Sequence, residues 1–272
     1  MEYGTDERKG KVSVLTLQKM KKKGEKITVL TAYDALFASF IDEYMDVILV
    51  GDSLGMVVAG YETTIPVTLE QILMHTQYVR SGVNHAMLVA DMPFLTYQIS
   101  PEETLRNAGR LLKEGGAEAV KMEGGERIAE SVRRCVETGI PVMGHLGLTP
   151  QSIHSFGGWQ TRAKTTEEAQ RLKEEALILQ EAGIFSLVLE KVPSVLAQDV
   201  TNSLTIPTIG IGAGNKTDGQ VLVTQDLLGM YEKFKPKFVR KYAGLASVIR
   251  SALKQYHDDV KSGNFPSEEE SF

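Results

Sequence analysis

Apolar and polar positions fall in blocks along this chain. Short runs rich in Val, Ile and Leu recur at 27–33, 47–53, 86–92, 117–124, 141–147, 186–192 and 207–212, with a weaker run near 221–224. Most are continuous rather than alternating, the pattern of parallel strands covered on both faces. Helical patterns with start and stop signals lie between them. Ser100, Pro101 and Glu103 supply a cap, a first-turn proline and a capping-box acid ahead of Leu105, Ala108, Leu111 and Leu112, and Gly115 or Gly116 closes the stripe. Thr165 and Glu168 repeat the device before Leu172, Ala176 and Leu179, with Gly183 as the stop. Ile128, Val132, Cys135 and Val136 form a third stripe, ended by Gly139. Seven strand–helix units and a weaker eighth predict an α/β chain. A (β/α)8 TIM barrel is the primary expectation, with a doubly wound open sheet as its rival. No shift of composition divides the chain, so a single barrel domain is expected over 1–262, followed by an acidic tail at 263–272. Leu17 and Met20, in a basic helical segment ahead of the first strand, are expected to close the barrel bottom. The lysine run 21–23 reads as a solvated face.

Length and charge narrow this further. The chain has 272 residues, enough for one such barrel. Its formal charge is 30 − 35 = −5, against the basic excess of a nucleic-acid binder. At 42% hydrophobic and 24% charged residues it matches an ordinary globular protein. Cys135 is the single cysteine, so no disulfide framework exists, and its place on an apolar stripe marks it as core. No apolar run approaches the roughly 18 residues that span a bilayer, and the charged N-terminal segment lacks a signal-peptide core. A cytoplasmic protein with no membrane partner is the expectation.

Candidate chemistry comes from position. Polar residues interrupt the apolar runs near the C-terminal ends of five successive strands: Asp52 and Ser53, Asp91, Lys121 and Glu123, His145, then Glu190 and Lys191. In a (β/α)8 barrel those ends meet at one mouth, where active sites lie. A charge buried there is costly unless paired or ligated. Asp52, Asp91 and Glu123, with no thiol among them, suit a hard cation with oxygen ligands, and Mg2+ is the natural choice. Lys121 and Glu123 are two apart on a strand and face the same side. His145 can donate or accept a proton near neutral pH, and Glu190 is the candidate general base. His75, His85, His154 and His257 receive no role. The run GIGAG at 210–214 reads as a tight turn or a backbone cradle for phosphate, without the spacing of a dinucleotide fingerprint.

The segments around these residues are TAYDALFA (31–38), VGDSLGMVVAGYETTIPVTLEQILMHTQYV (50–79), ADMPF (90–94), VKMEGG (120–125), PVMGHLGLTPQS (141–152), LVLEKVP (187–193), IPTIGIGAG (206–214) and FPSEEESF (265–272). In order and over nearly the whole chain, they resemble the ketopantoate hydroxymethyltransferase family of pantothenate biosynthesis. The resemblance implies that Asp52 contacts Mg2+ and, with Ser53, the keto acid. It places Asp91 on both the metal and the substrate side, and makes Glu123 the third metal-side carboxylate. Lys121 would bind the keto acid, His145 would lie near it, and Glu190 would accept the proton. It further implies one Mg2+ per subunit, 5,10-methylenetetrahydrofolate as co-substrate, 3-methyl-2-oxobutanoate as acceptor and a homo-oligomer, commonly a decamer. One departure stands out: after Gly157-Gly158 the family usually has an aromatic, two variable residues, Gln-Gly and a base. Here Arg162 and Ala163 replace Gln-Gly in a loop expected to act as a lid. Read from the residues alone, the same carboxylates would also serve a Mg2+-dependent lyase or mutase of 2-oxo acids or phosphoenolpyruvate. They would equally serve a keto-acid-binding barrel without turnover.

Overall fold

The computed structural model describes residues 10–232 and 236–272; the charged segment 1–9 lies outside the described residues. The chain divides into two compact units, 1–222 and 223–272. In the first, eight parallel strands close into a barrel in chain order. These are β1 (Ile27–Thr31), β2 (Val47–Val50), β3 (Met87–Asp91), β4 (Ala119–Glu123), β5 (Val142–Gly147), β6 (Ser186–Glu190), β7 (Thr208–Ile211) and β8 (Gly219–Leu222). The helices are α1 (Val14–Lys23), α2 (Ala35–Asp42), α3 (Leu54–Val57), α4 (Leu69–Arg80), α5 (Pro101–Lys113), α6 (Ala129–Glu137), α7 (Ile153–Phe156), α8 (Thr166–Glu181) and α9 (Ser194–Ser203). The second unit holds α10 (Thr224–Leu227) and α11 (Leu245–Ser262), the latter ended by left-handed Gly263. There the Phe265 ring meets Tyr256 edge-on at 5.4 Å, while Phe272 is exposed.

The continuous apolar runs are explained by two separate cores. Even-numbered residues of β2, β3 and β4, such as Ile48, Leu88 and Val120, face the helices and pack with Ile72, Leu111 and Val132. Their odd-numbered neighbours Val47, Leu49, Met87, Val89 and Ala119 fill the lumen with Met143, Val188, Ile209 and Val221. Leu17 of α1 is 1% exposed in this inner cluster and Met20 packs against it, so α1 closes the bottom of the barrel as its pattern predicts. Ser13 caps α1 through the Thr16 amide, and Gly24 ends it in the left-handed region. Lys21 departs from the solvated reading: its ammonium pairs with Asp218 at 2.8 Å and donates to the Thr201 carbonyl at 3.0 Å. The Thr165 cap forms as expected, but the Glu168 carboxylate accepts from the Lys164 amide rather than from Thr165.

Several strand ends differ by a residue or more from the apolar runs. β2 stops at Val50, and Asp52 and Ser53 lie on the turn into α3. β6 stops at Glu190 because Lys191 adopts φ +46, outside extended backbone. β8 begins at Gly219, where a Cβ would stand 2.4 Å from the Ile27 carbonyl oxygen; a strand opening on glycine gives a faint hydrophobic signal. The GIGAG run leaves β7 and reaches β8 with no helix between, so the phosphate-cradle reading has no helix N-terminus to use. Instead Gln220 Nε2 donates to the Gly214 carbonyl at 2.9 Å and closes the turn.

Gly147 is the tightest backbone approach near the mouth. Its φ is +96, and a Cβ there would lie 2.3 Å from the Glu190 carbonyl oxygen across the β5–β6 pair. Gly147→Ala combines backbone strain with overpacking. It should cost on the order of 3 kcal/mol and lower Tm by about 6–12 °C in a calorimetric scan.

Candidate active site

Strand alternation carries the lumen upward from apolar to charged. Asp91 stands above Met87 and Val89, Lys121 and Glu123 above Ala119, His145 above Met143, and Glu190 above Val188. The register places Asp91 beside Lys121, Glu123 beside His145, and Gly147 beside Glu190. Lys121 Nζ lies 2.7 Å from Asp91 Oδ1 and 3.9 Å from Glu123 Oε1. His145 Nδ1 is 3.2 Å from Glu123 Oε1, and its Nε2 is 3.4 Å from Glu190 Oε2. Asp52 joins from the β2 turn, its amide donating to Asp91 Oδ2 at 2.9 Å. Gly51 occupies the inward position above Leu49; a Cβ there would sit 2.7 Å from Ser53 Oγ and 3.5 Å from Asp91 Oδ2. Ser53 Oγ hydrogen-bonds the Tyr33 hydroxyl at 2.8 Å. Asp52, Ser53, Asp91, Lys121, Glu123, His145 and Glu190 thus lie in one connected cluster at the C-terminal mouth. His75 takes a structural contact instead, with Nδ1 2.6 Å from the Tyr33 carbonyl oxygen.

The cluster is short of positive charge. Burial, then Asp91 and Glu123, push the Asp52 carboxyl up to about 8. For Glu123, burial works upward, but His145 and Lys121 hold the group below its ordinary value. Burial opposes the charge of His145, yet Glu123 and Glu190 raise it to about 9, so the ring is an imidazolium at neutral pH. Lys121 is likewise raised: Asp91, Glu123 and Asp52 outweigh its desolvation. Asp91 Oδ1 and Glu123 Oε1 are buried with no aligned hydrogen bond; the nearby cations lie off the hydrogen-bond axis and act through charge. Two buried carboxylate oxygens met only by cations off the hydrogen-bond axis, in a pocket with more acids than bases, fit a hard divalent cation. Among the described residues no three His, Cys, Asp or Glu side chains close on one point as a ready-made metal cage. A Mg2+ held here would therefore take part of its shell from water or substrate, as that ion ordinarily does.

Position along the strands does not single out Gln151 and Tyr97. Gln151, 5% exposed, donates from its main-chain N to Glu123 Oε2 at 3.0 Å. Its Nε2 donates to Asp52 Oδ2 and to the Met92 carbonyl, both at 2.9 Å. The Tyr97 hydroxyl lies 2.7 Å from Gln151 Oε1 and accepts from the Glu123 amide at 3.1 Å. Both residues sit on segments that follow strands, and neutral side chains there look like ordinary loop polarity. The one signal is local: Gln151 closes the GHLGLTPQ segment that also contains His145.

The loop at 157–164 is fastened to the end of β6. The Arg162 amide donates to the Lys191 carbonyl at 2.9 Å, and Lys191 Nζ donates to the Trp159 carbonyl. Arg162 also places its guanidinium 4.2 Å from the Phe156 ring centroid and 3.6 Å from Glu168. Ala163 adopts φ +55, the left-handed conformation that glycine takes without strain, at the position where the resembling family carries glycine.

Known proteins resemble this chain in sequence and in fold. The family model described as ketopantoate hydroxymethyltransferase matches residues 11–268. A 3-methyl-2-oxobutanoate hydroxymethyltransferase of Syntrophus aciditrophicus is 59% identical over 263 residues, covering 96% of this chain and 97% of its own. One of the same name from Chlorobium phaeobacteroides is 52% identical over 277 residues and covers both chains fully. Among solved structures, a phosphonopyruvate hydrolase superposes with TM-score 0.63 at 11% identity, over 97% of this chain and 91% of its own. A 2,3-dimethylmalate lyase of the PEP mutase/isocitrate lyase superfamily gives 0.60 at 15% identity, over 90% and 87%. These last two likenesses concern the fold alone.

The loop fastening is testable. Arg162→Gln removes the ring contact and the Glu168 pair, together worth about 1 kcal/mol. Chymotryptic cleavage after Phe156 or Trp159 under native conditions should accelerate by about threefold to fivefold. An unchanged rate would show that the Lys191 ties alone hold the loop.

Proposed function

Since the chain belongs to the ketopantoate hydroxymethyltransferase family, we propose that it hydroxymethylates 3-methyl-2-oxobutanoate. The one-carbon unit would come from 5,10-methylenetetrahydrofolate. With one water consumed, the products are 2-dehydropantoate, on the route to pantothenate, and tetrahydrofolate. The observation that carries this reading is the division of labour among the carboxylates. Asp52, Asp91 and Glu123 are 2–5% exposed, whereas the Glu190 side chain, at 13%, stands at the rim of the same cluster. A deep acidic set suits a cation and a rim carboxylate suits proton abstraction.

The chain's own residues then have distinct tasks. Lys121, held charged in the lumen, binds the carboxylate of the keto acid, with Ser53 and His145 hydrogen-bonding around it. Asp52 and Asp91 flank the same end. Mg2+ bound among Asp52, Asp91 and Glu123 supplies positive charge against the negative charge that develops on the keto oxygen. Glu190 takes the proton from C3, with the His145 ring 3.4 Å from its carboxylate. Water adds to the one-carbon unit of the folate. Its hydrogens pass to the two folate nitrogens as their bonds to that carbon break, and its oxygen stays on the carbon. C3 attacks this carbon, and the proton taken up by Glu190 ends on the new hydroxyl. The family assignment favours a homo-oligomer, and no helix among the described residues is long and apolar enough to cross a membrane.

Two measurements test the roles. With Mg2+ and 3-methyl-2-oxobutanoate but no folate, the wild-type protein should exchange the C3 proton with D2O. Glu190→Gln should exchange it about 10²–10⁴-fold more slowly. Equal rates would assign the base elsewhere. Lys121→Met should raise KM for the keto acid by about tenfold or more, the loss of a charged hydrogen bond. An unchanged KM and kcat would remove Lys121 from the site. Net turnover without any folate would favour a lyase or mutase instead.

A further inference from the structure

Gln151 touches two of the deep carboxylates, which come from strands two apart around the mouth. Asp52 follows β2 and Glu123 ends β4, with β3 between them. Gln151 binds one oxygen of each: Asp52 Oδ2 through Nε2 at 2.9 Å, and Glu123 Oε2 through its main-chain N at 3.0 Å. Its amide cannot turn over without loss. Nε2 uses its second hydrogen on the Met92 carbonyl at 2.9 Å, while Oε1 receives the Tyr97 hydroxyl at 2.7 Å and Gln98 Nε2 at 3.3 Å. A flipped amide would set its oxygen against the Met92 carbonyl and against Asp52 together, and leave Tyr97 facing N–H groups. The side chain therefore presents a donor, never an acceptor, to Asp52.

The third carboxylate is treated alike. Asp91 Oδ2 accepts from the Asp52 amide at 2.9 Å. Each carboxylate thus has one oxygen committed to a neutral N–H donor, and in Asp91 and Glu123 the other oxygen is buried with no aligned donor. We propose that Gln151 is a positioning residue for the cation: it occupies Asp52 Oδ2 and Glu123 Oε2, and so turns Asp52 Oδ1 and Glu123 Oε1 toward the metal. This rests on the reading of Asp52, Asp91 and Glu123 as the cation site, and adds to it the group that selects the coordinating oxygens. Tyr97 acts one step further out. Its hydroxyl fixes the Gln151 amide and accepts from the Glu123 main-chain N at 3.1 Å, joining the backbone of that carboxylate to the same lock. Hydrogen-bonded partners of metal ligands ordinarily matter on this scale, because a ligand free to rotate loses affinity to its own disorder.

The experiment uses the full-length protein and Mn2+ as a spectroscopic substitute for Mg2+, titrated by electron paramagnetic resonance. Gln151→Met keeps the length of the side chain and the main-chain bond to Glu123, but removes the donor to Asp52. Mn2+ binding should weaken by about 10–100-fold. The concentration of Mg2+ needed for half-maximal activity should rise in step, while kcat at saturating Mg2+ stays within about threefold of wild type. Gln98→Ala, which touches the same Oε1 from the exposed side, should leave Mn2+ affinity within about twofold. Should Gln151→Met fail to fold, Gln151→Asn, whose amide is one methylene short of Asp52, should show the same loss. A folded Gln151 variant that binds Mn2+ as the wild type does overturns the proposal. So does a fall in kcat that Mg2+ cannot restore with Mn2+ affinity intact, since that places Gln151 at the substrate. If Asp91→Asn binds Mn2+ as tightly as wild type, the cation site itself is misplaced and the inference falls with it, a result distinct from the first two.

Discussion

A closed sheet of parallel strands leaves every second side chain no direction except the lumen, and the site is a consequence of that confinement. Along β3 and β4 the inward positions run from Met87 and Val89 to Asp91, and from Ala119 to Lys121 and Glu123. The lower layers are apolar and satisfy one another by packing. The upper layer is charged, cannot retreat into solvent, and must satisfy its charges locally. Ion pairs, the imidazolium and the Gln151 amide are the means by which it does so.

The result is a charge arrangement that neither dissolves nor neutralises itself. Lys121 and His145 answer some of the charge of Asp52, Asp91, Glu123 and Glu190, but they do so off the hydrogen-bond axis. Burial and the neighbouring acids make Asp52 hold its proton more tightly. An excess of buried acids over bases also attracts positive charge. The same low-dielectric setting that makes the arrangement expensive makes it responsive to whatever binds.

How much of this is legible in the sequence depends on which physical signal each residue carries. Strands and long helices are readable because burial on both faces and capping chemistry leave marks in the order of residues, as at Ser100 and Thr165. Charged residues at strand ends are readable because a charge that interrupts an apolar run is costly to bury unless it is paired or ligated. β8 is faint because Gly219 is required by the Ile27 carbonyl rather than by hydrophobicity. Gln151 and Tyr97 are invisible to periodicity, since a neutral side chain on a loop is unremarkable until its partners are known. Lys21 misleads for a related reason: its partner Asp218 is nearly the whole barrel away in sequence, and no local pattern connects them.

The plug formed by α1 has a kinetic meaning. With Leu17 and Val12 buried in the inner cluster beneath the strands, the barrel has a floor, and the charged cluster lies at its other end, where the mouth is the doorway. Molecules that use such a chamber form a queue. On the proposed function, the smaller reactant binds at buried Lys121 and has to enter before the larger one stands in the opening. Whatever remains deepest at the end departs only after the doorway is clear. On that reading, order of arrival and departure is set by a helix that lies at the far end of the barrel from the charged cluster.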